Sequence, residues 1–303
     1  MINTNNITVI IVTYLTKKNI LLNCLNSIDN KIKVIIVENS NRFKYKKFFL
    51  RKFSNLNIVC TGSNLGYGKG NNFGLNKTKS DYALIINPDI ICDKMLFKNI
   101  NKLLKIRNNF SIIGCQYLYD KVFMPAGFFD FIKNKKYKDN FFIKKPKILT
   151  KVDWVTGCSL LINMKKFKNK NIFDENYFLY FEEFDLCKDI LDKNGLVYTA
   201  NNLKVHHLGF KGSIGASNSL RQSAIKLRNW HFMWSSFYFY KKHYSYLYAL
   251  FKLSGKLFRS FLKAIFYIVI FDKSKKNKYL YRFLGILNGI IGNKAYYRGN
   301  NFK

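Results

Sequence analysis

The stretch that most limits how this chain can fold is Asp81 to Asp89, D-Y-A-L-I-I-N-P-D. Tyr82 to Ile86 form an apolar run without alternation, as in a parallel strand covered on both faces, and the run stops at Asn87-Pro88-Asp89. Pro88 has no N–H to give a ladder, so the strand ends there. Asp89 is thereby held just past the carboxyl end of the strand, at the edge of an open α/β sheet where ligands bind. A carboxylate fixed there suits a divalent metal set against a diphosphate. Taken alone, the tripeptide reads as a plain turn, since Asn, Pro and Asp all favour turns; its surroundings decide.

Those surroundings repeat the strand pattern. Ile7 to Tyr14, Lys33 to Val37, Asn57 to Thr61 and Phe110 to Tyr117 read as further strands. Between them lie a segment with Leu21, Leu25 and Ile28 at helical spacing, a basic helix over Lys44 to Phe53 and another over Lys94 to Ile106. This alternation over the first 120 or so residues predicts a Rossmann-like α/β fold with a mostly parallel sheet. Three strand ends then bring polar groups to one edge: Thr13-Tyr14, Glu38-Asn39 and Asn87-Asp89. Together they make a pocket for a base, a ribose and a diphosphate. Gly66, Gly68 and Gly70 precede a helix, which permits close backbone approach and presents helix-terminal N–H groups to an anion. Their spacing, and their place after the third strand, differ from the dinucleotide fingerprint, and a plain turn is the competing reading.

Charge matters next. The 52 Lys+Arg against 17 Asp+Glu give a net charge of +35, a surface that seeks polyanions: nucleic acid, anionic lipid or a phosphorylated substrate. With 48% hydrophobic residues and 3 prolines, the chain is built to fold around a substantial core, which excludes a disordered protein. The six cysteines are far apart, without a C-x-x-C pair, and read as buried thiols in a reducing compartment rather than a disulfide or zinc framework. The polar amino terminus carries no signal-peptide pattern, so a cytoplasmic catalytic part is expected.

Phe123 to Thr150 interleaves lysines with aromatics and reads as a long loop over the active edge; the same pattern suits stacking on nucleic-acid bases. In V-D-W-V-T-G, Trp154 forms a wall where Gly157 leaves room for backbone, or else is a core tryptophan. Phe173 to Ile190 holds the densest acidic cluster. A helix beginning near Glu182 places Phe184, Cys187, Ile190 and Leu191 on one apolar stripe. Glu183 falls on that stripe, while Glu182, Asp185 and Asp189 project from the other side. An inward acid is desolvated, which raises its pKa and makes Glu183 the candidate general base; complementing a helix dipole accounts for Glu182 and Asp185 but not for Glu183. After a strand over Gly195 to Thr199 come His206 and His207, either a source of neutral imidazole for a metal site or ordinary surface histidines.

In order, I-I-V-T-Y, V-E-N-S, N-L-G-Y-G-K-G-N-N-F-G, I-N-P-D, W-V-T-G, F-D-E-N-Y-F-L-Y-F-E-E-F-D-L-C and H-H-L-G resemble the motifs of inverting family 2 glycosyltransferases of the GT-A fold. Within that family they are most similar to the rhamnosyltransferase and galactofuranosyltransferase branch of bacterial surface-polysaccharide synthesis. The resemblance covers about residues 7 to 235. It implies a nucleotide-sugar donor (dTDP-rhamnose or a UDP-sugar), Mg²⁺ or Mn²⁺, and a lipid-linked or lipopolysaccharide glycan acceptor. It further implies donor contacts from Thr13, Tyr14, Glu38, Asn39, Gly66, Gly68, Asn71, Asn87 and Asp89, and a pocket lined by Trp154, Gly157, Glu182 and Asp185. The metal would be held by Asp89 and by His206, or second to it His207, and the base would be Glu183. Three departures stand out: Glu for Asp at the base, which moves the carboxylate by about 1.5 Å, Glu38 for Asp, and Asp189 where the branch often has Arg.

The expected domains are a transferase domain over residues 1–235, with a nucleotide-binding half to about 120 and an acceptor half from about 150, and a tail over 236–303. In the tail, Lys252, Lys256, Arg259 and Lys263 fall on one helical arc opposite Leu250, Leu253, Leu257 and Phe261. That pattern suits a helix lying on an anionic membrane surface, with Leu280 to Ile291 as a second contact, or a core helix with a solvated basic face. No apolar run is long enough to span a bilayer, so the enzyme is expected to be peripheral on the inner face of the cytoplasmic membrane. The rival from another class is a non-catalytic, basic nucleic-acid-binding protein on a nucleotide-fold core. It leaves the acidic cluster unexplained, so no nucleic acid is expected as a partner. A second rival is a non-catalytic member of the same fold.

Overall fold

The computed structural model describes residues 6–118, 126–143, 148–208 and 218–298. It divides into two compact units. Met1–Ser63, Gly70–Phe173 and Glu183–Ser213 make the first; Asn64–Lys69, Asp174–Glu182 and Ile214–Lys303 make the second. The division therefore does not fall near residue 235.

The first unit begins with β1 (Ile7–Thr13), α1 (Lys18–Asn26), β2 (Lys33–Glu38), α2 (Lys46–Lys52), β3 (Leu56–Cys60), α3 (Tyr67–Lys77, entered from the second unit) and β4 (Tyr82–Ile86). The strands are the β-branched runs, and in β1, β2 and β4 nearly every side chain is buried, as a sheet covered on both faces requires. Beyond β4 come β5 (Ile90–Cys92), α4 (Leu96–Ile106), β6 (Ile112–Leu118), β7 (Ala126–Gly127), α5 (Phe131–Ile143), β8 (Leu149–Lys151), β9 (Trp154–Val155), β10 (Ser159–Asn163), α6 (Glu182–Asp192) and β11 (Val197–His207). The main sheet has 9 strands in the order β3-β2-β1-β4-β10-β6-β11-β5, with β8 beside β11. Its β3-β2-β1-β4 half is parallel; β10 enters antiparallel between β4 and β6. The sheet is thus mixed, with the expected parallel portion on the nucleotide side.

Two expectations are corrected here. The described part of the segment over 123–150 is not one long loop, since β7 pairs with β9 and α5 follows it; 123–125 and 144–147 lie outside the described residues. The glycine run does not wholly precede its helix, because α3 starts at Tyr67 and contains Gly68 and Gly70. A Cβ at Gly70 would lie 2.9 Å from Val12 Cγ1 and 3.0 Å from Asn39 Nδ2. Here the missing side chain serves helix-to-sheet contact. All six cysteines are free, five of them buried, and burial pushes the Cys92 thiol up to about 12 and the Cys115 thiol to about 11.

The second unit is built on α7 (Asn218–His243), α8 (Tyr246–Val269) and α9 (Lys273–Ile290). The α7 aromatics lie inside it: Trp230, Trp234 and Phe237 are buried, and Trp230, Trp234 and Tyr238 stack along one face at successive turns. Residues 174–182 are strapped to this helix. Tyr238 Oη and Lys242 Nζ donate to Asp174 at 3.2 and 3.1 Å, and Ser235 Oγ donates to the Leu179 carbonyl at 3.0 Å.

Three of the four residues of the apolar stripe expected to meet a membrane lie in the seam between helices, while Phe261 is exposed. Leu253 is buried with Phe237 and Ile286, Leu250 and Leu257 pack on that cluster, and Phe261 meets Phe283 at 5.3 Å. Within Leu280 to Ile291, the residues Gly285, Ile286, Asn288 and Gly289 are buried, with Gly285 and Gly289 permitting close approach to Trp230 and Phe237 of α7, while Ile291 is exposed. Among the described residues, no helix is long and apolar enough to cross a membrane.

Candidate active site

The first carboxylate is fixed by a turn. The Ile90 N–H donates to the Asn87 carbonyl at 3.1 Å, closing a β-turn over Asn87-Pro88-Asp89-Ile90 with proline at its favoured second position. The tripeptide is thus a turn, and the turn is what holds Asp89. The Asn87 N–H donates to the Cys158 carbonyl at 3.0 Å, tying the end of β4 to the approach to β10.

After the turn the chain pairs, as β5, with the last three residues of β11. β11 reaches it through an irregularity between Ala200 and Lys204, where its register on β6 shifts. The Asp89 carboxylate is buried and has His207 Nε2 3.3 Å from Oδ1. The alternation of β11 leaves His206, the expected ligand, exposed on the other side of the strand. His207 is therefore the histidine beside Asp89, and the glycine of H-H-L-G lies outside the described residues.

The second carboxylate comes from α6. The chain turns into this helix through Tyr180 and Phe181, consecutive non-glycine residues with φ of 69° and 72°, a left-handed pair of the costly kind that clusters at functional sites. Glu183 then stands in the first turn. Burial raises its pKa, while hydrogen bonds from its own N–H and from the Gly157 N–H pull the other way. Gly157 precedes Cys158, whose carbonyl anchors Asn87, two residues before Asp89. Both acids are consequently tied to the same junction of β4 and β10. The Cys187 thiol, one turn beyond, is raised to about 12 by burial, with the charges of Glu183 and Asp153 adding to the effect.

The faces of α6 differ from those expected. Glu182 and Asp185 are buried, together with Leu186, Cys187 and Ile190, while Phe184 and Leu191 are only half-buried. The two acids do not project to solvent, because α6 is enclosed on more than one side. Trp154 meets Phe184 at 4.9 Å, so the indole packs on the helix that carries Glu183. Gly127 was missed in the sequence, and it leaves space for that indole: a Cβ there would come within 2.8 Å of Trp154 Cε2. Asp153, also missed, accepts the Phe129 N–H at 3.1 Å beside the same helix. Neither residue has a local signal, since each matters only through β7 and β9.

Thr13 and Glu38 meet at the paired ends of β1 and β2. Glu38 is buried and accepts from Thr13 Oγ1 at 2.6 Å, Ser40 Oγ at 2.8 Å and the Leu15 N–H at 3.3 Å. A carboxylate has about four acceptor positions, so this one is largely committed within the protein. Asn39 is buried beside it, its N–H donating to the Thr13 carbonyl at 2.7 Å, and Tyr14 is half-buried at the same strand end. Asn71 is buried in α3, and its neighbour Asn72 grips both the N–H and the carbonyl of Phe173, at 3.0 and 2.9 Å. Gly66, Gly68 and Glu182 belong to the second unit. There Gly66, at φ +85°, lies against the Phe178 backbone, whose carbonyl accepts the Tyr67 N–H at 3.0 Å.

The donor set beside the turn, one carboxylate and one imidazole, suits Mn²⁺ or Mg²⁺, with nitrogen favouring the former. Asp185 and Asp189, a turn apart on α6, bring carboxylate oxygens within 4.8 Å of each other.

Comparisons with known proteins bear on the same elements. The chain is 27% identical over 194 residues to rhamnosyltransferase WbbL of Escherichia coli K12, covering 55% of this chain and 69% of that protein. It is 23% identical over 202 residues to the low-salt glycan biosynthesis hexosyltransferase Agl10 of Haloferax volcanii, covering 60% of this chain and 61% of that relative. Among solved structures, GalNAc-T7 with UDP, GalNAc and Mn²⁺ superposes with a TM-score of 0.54 at 13% identity, over 78% of this chain and 50% of the other. The mannosyltransferase PcManGT of Pyrobaculum calidifontis with GDP-Man and Mn²⁺ gives 0.52 at 12% identity, over 94% and 87%. These likenesses identify the fold as GT-A-like. Residues 8–169 match the sequence model described as "Glycosyl transferase family 2", from the first strand to the end of the sheet's antiparallel insertion, and the chain belongs to that family.

Proposed function

We propose that this chain moves a sugar from a nucleoside-diphosphate donor to a hydroxyl of a lipid-linked or lipopolysaccharide glycan, with inversion and with Glu183 as general base. The observation that carries the reading is the anchoring of Glu183 by Gly157, at the junction where the Asn87-Asp89 turn is also fastened. The WbbL and Agl10 likenesses support a rhamnosyl or hexosyl group, from dTDP-rhamnose or a UDP-sugar. Synthesis of such glycans on lipid carriers is consistent with work at the inner face of the cytoplasmic membrane.

In the proposed step, Glu183 takes the proton of the acceptor hydroxyl as its oxygen bonds to the anomeric carbon. The bond from that carbon to the diphosphate breaks on the opposite face, and the nucleoside diphosphate leaves with the electron pair. Asp89 and His207 are the residues that would hold Mg²⁺ or Mn²⁺, with His207 taking the part expected of His206. When bound, the ion supplies positive charge against the leaving diphosphate. The desolvated surroundings of Glu183 keep its basicity high, and Trp154 fixes the helix that carries it. Thr13, Glu38 and Asn39 bound the nucleoside end.

The test is a panel of nucleoside-diphosphate sugars with Mn²⁺, scored by released nucleoside diphosphate. One or a few donors should turn over in the wild type, with Glu183→Gln silent but still binding the donor metal-dependently. Undiminished turnover in that variant would remove Glu183 as the base.

A further inference from the structure

Helix α8 has three separate faces, reckoned at roughly 100° per residue. One, through Ala249, Leu253, Ser260 and Ala264, is buried within the second unit. A second carries Lys252, Lys256, Arg259 and Lys263, the arc read from the sequence. The third was not anticipated: Leu247, Phe251, Phe258, Leu262, Ile265 and Val269 all point outward, with Phe251 82% and Phe258 65% exposed. A contiguous apolar stripe of this length on a monomer's surface marks an interaction site.

We propose that α8 docks the protein on an anionic bilayer, lying in the membrane plane with this third face among the acyl chains and the cationic face against the headgroups. Charge chooses the occupant. Asp272 is the sole acidic residue between Tyr246 and Arg298. Lys256 is held below its ordinary pKa by burial and by the neighbouring Arg282 and Lys252 charges, a positive cluster that anionic headgroups would relieve. A second copy of the chain would instead bring the same lysines and arginine face to face across a two-fold contact.

The surroundings agree. Tyr244, Tyr246 and Tyr248 are exposed where α8 begins, rings suited to headgroup depth. Beside Phe251 an apolar groove of about 280 Å³, lined by Phe237, Leu250, Leu257, Ile286 and Ile290, offers room for the end of an acyl chain. The helix carries too much charge to span, and its separate apolar and cationic faces are those of an interfacial helix.

The proposal stands apart from the transfer reaction and is tested on the full chain by flotation with vesicles. The wild type should float with 3:1 phosphatidylcholine:phosphatidylglycerol and about tenfold less with phosphatidylcholine alone. The triple variant Phe251→Ser, Phe258→Ser, Leu262→Ser and the double variant Lys252→Glu, Arg259→Glu should each lose about tenfold or more of that binding. Donor hydrolysis in solution should be unchanged in both, which separates this result from any failure of the catalytic reading. Phe258→Trp should shift its added emission to the blue on anionic vesicles. Wild-type protein that stays in the lipid-free fraction, a triple variant that floats like the wild type, or an unshifted emission would overturn the proposal. So would a wild-type dimer that the triple variant dissolves without any vesicle binding.

Discussion

Helix α6 takes two carboxylates, Glu182 and Asp185, out of water, whereas α8 puts phenylalanines into it. Each arrangement works against stability. A buried carboxylate loses hydration that hydrogen bonds only partly replace, and an exposed phenylalanine forgoes about 1.5–3 kcal/mol of burial. Neither helix needs these residues to fold: α6 has Leu186, Cys187 and Ile190 for its core contact, and α8 has Ala249, Leu253 and Ala264. Where a fold keeps such features without a structural need, chemistry or binding is the place to look. On the readings proposed above, the two helices would differ in what they meet, a proton at Glu183 of one and a bilayer surface on the other.

The contrast can be broken most directly at Glu183. Glu183→Gln keeps the shape of the side chain and removes its basicity, so turnover should fall by about a hundredfold to ten-thousandfold in single-turnover assays, with donor affinity retained. Next in size is Leu253→Ala on the buried face of α8, expected to cost about 2–5 kcal/mol in denaturant unfolding. Smaller is a pH effect. Burial raises the Glu183 pKa, so the folded state holds that proton to higher pH than the unfolded state does. The stability this residue allows is therefore fullest at acid pH and declines from the ordinary carboxylate range up through the raised pKa. Glu183→Gln should accordingly be more stable than wild type at neutral pH and lose that advantage in acid. In the active enzyme, the acid limb of kcat/KM should lie above the ordinary glutamate range. The smallest effect is expected of Phe258→Ser, within about 0.5 kcal/mol of wild type; a large loss there would mean that the outer face of α8 is core after all.

The same pair of helices shows what can be read before folding. The start of α6 at Glu182 was legible, because the acidic cluster interrupts an apolar period, but Glu183, expected to be the inward acid, is only half-buried, less so than Glu182 and Asp185. The burial of Glu182 and Asp185 was not legible, since a helix enclosed on several sides has no single stripe to find. On α8 the cationic arc was legible, yet two apolar stripes flank it, and periodicity cannot say which one meets α7 and α9. The sheet was read more fully, since β1, β2 and β4 announce themselves by unbroken β-branched runs. The choice of His207 over His206 depends on the register shift in β11, which pairing with β6 and β5 imposes from a distance. Gly127 and Asp153 matter only because β7 and β9 come together.

Pro88 carries a consequence that belongs to the unfolded chain. A fixed ring at the second position of the Asn87–Ile90 turn removes conformations that the chain would otherwise explore before folding. Much of the disorder that a mobile carboxylate would surrender on capturing its ligand is thus surrendered earlier, during folding. On the proposed reading, Asp89 would meet each incoming donor already in place, with less disorder left to surrender on binding.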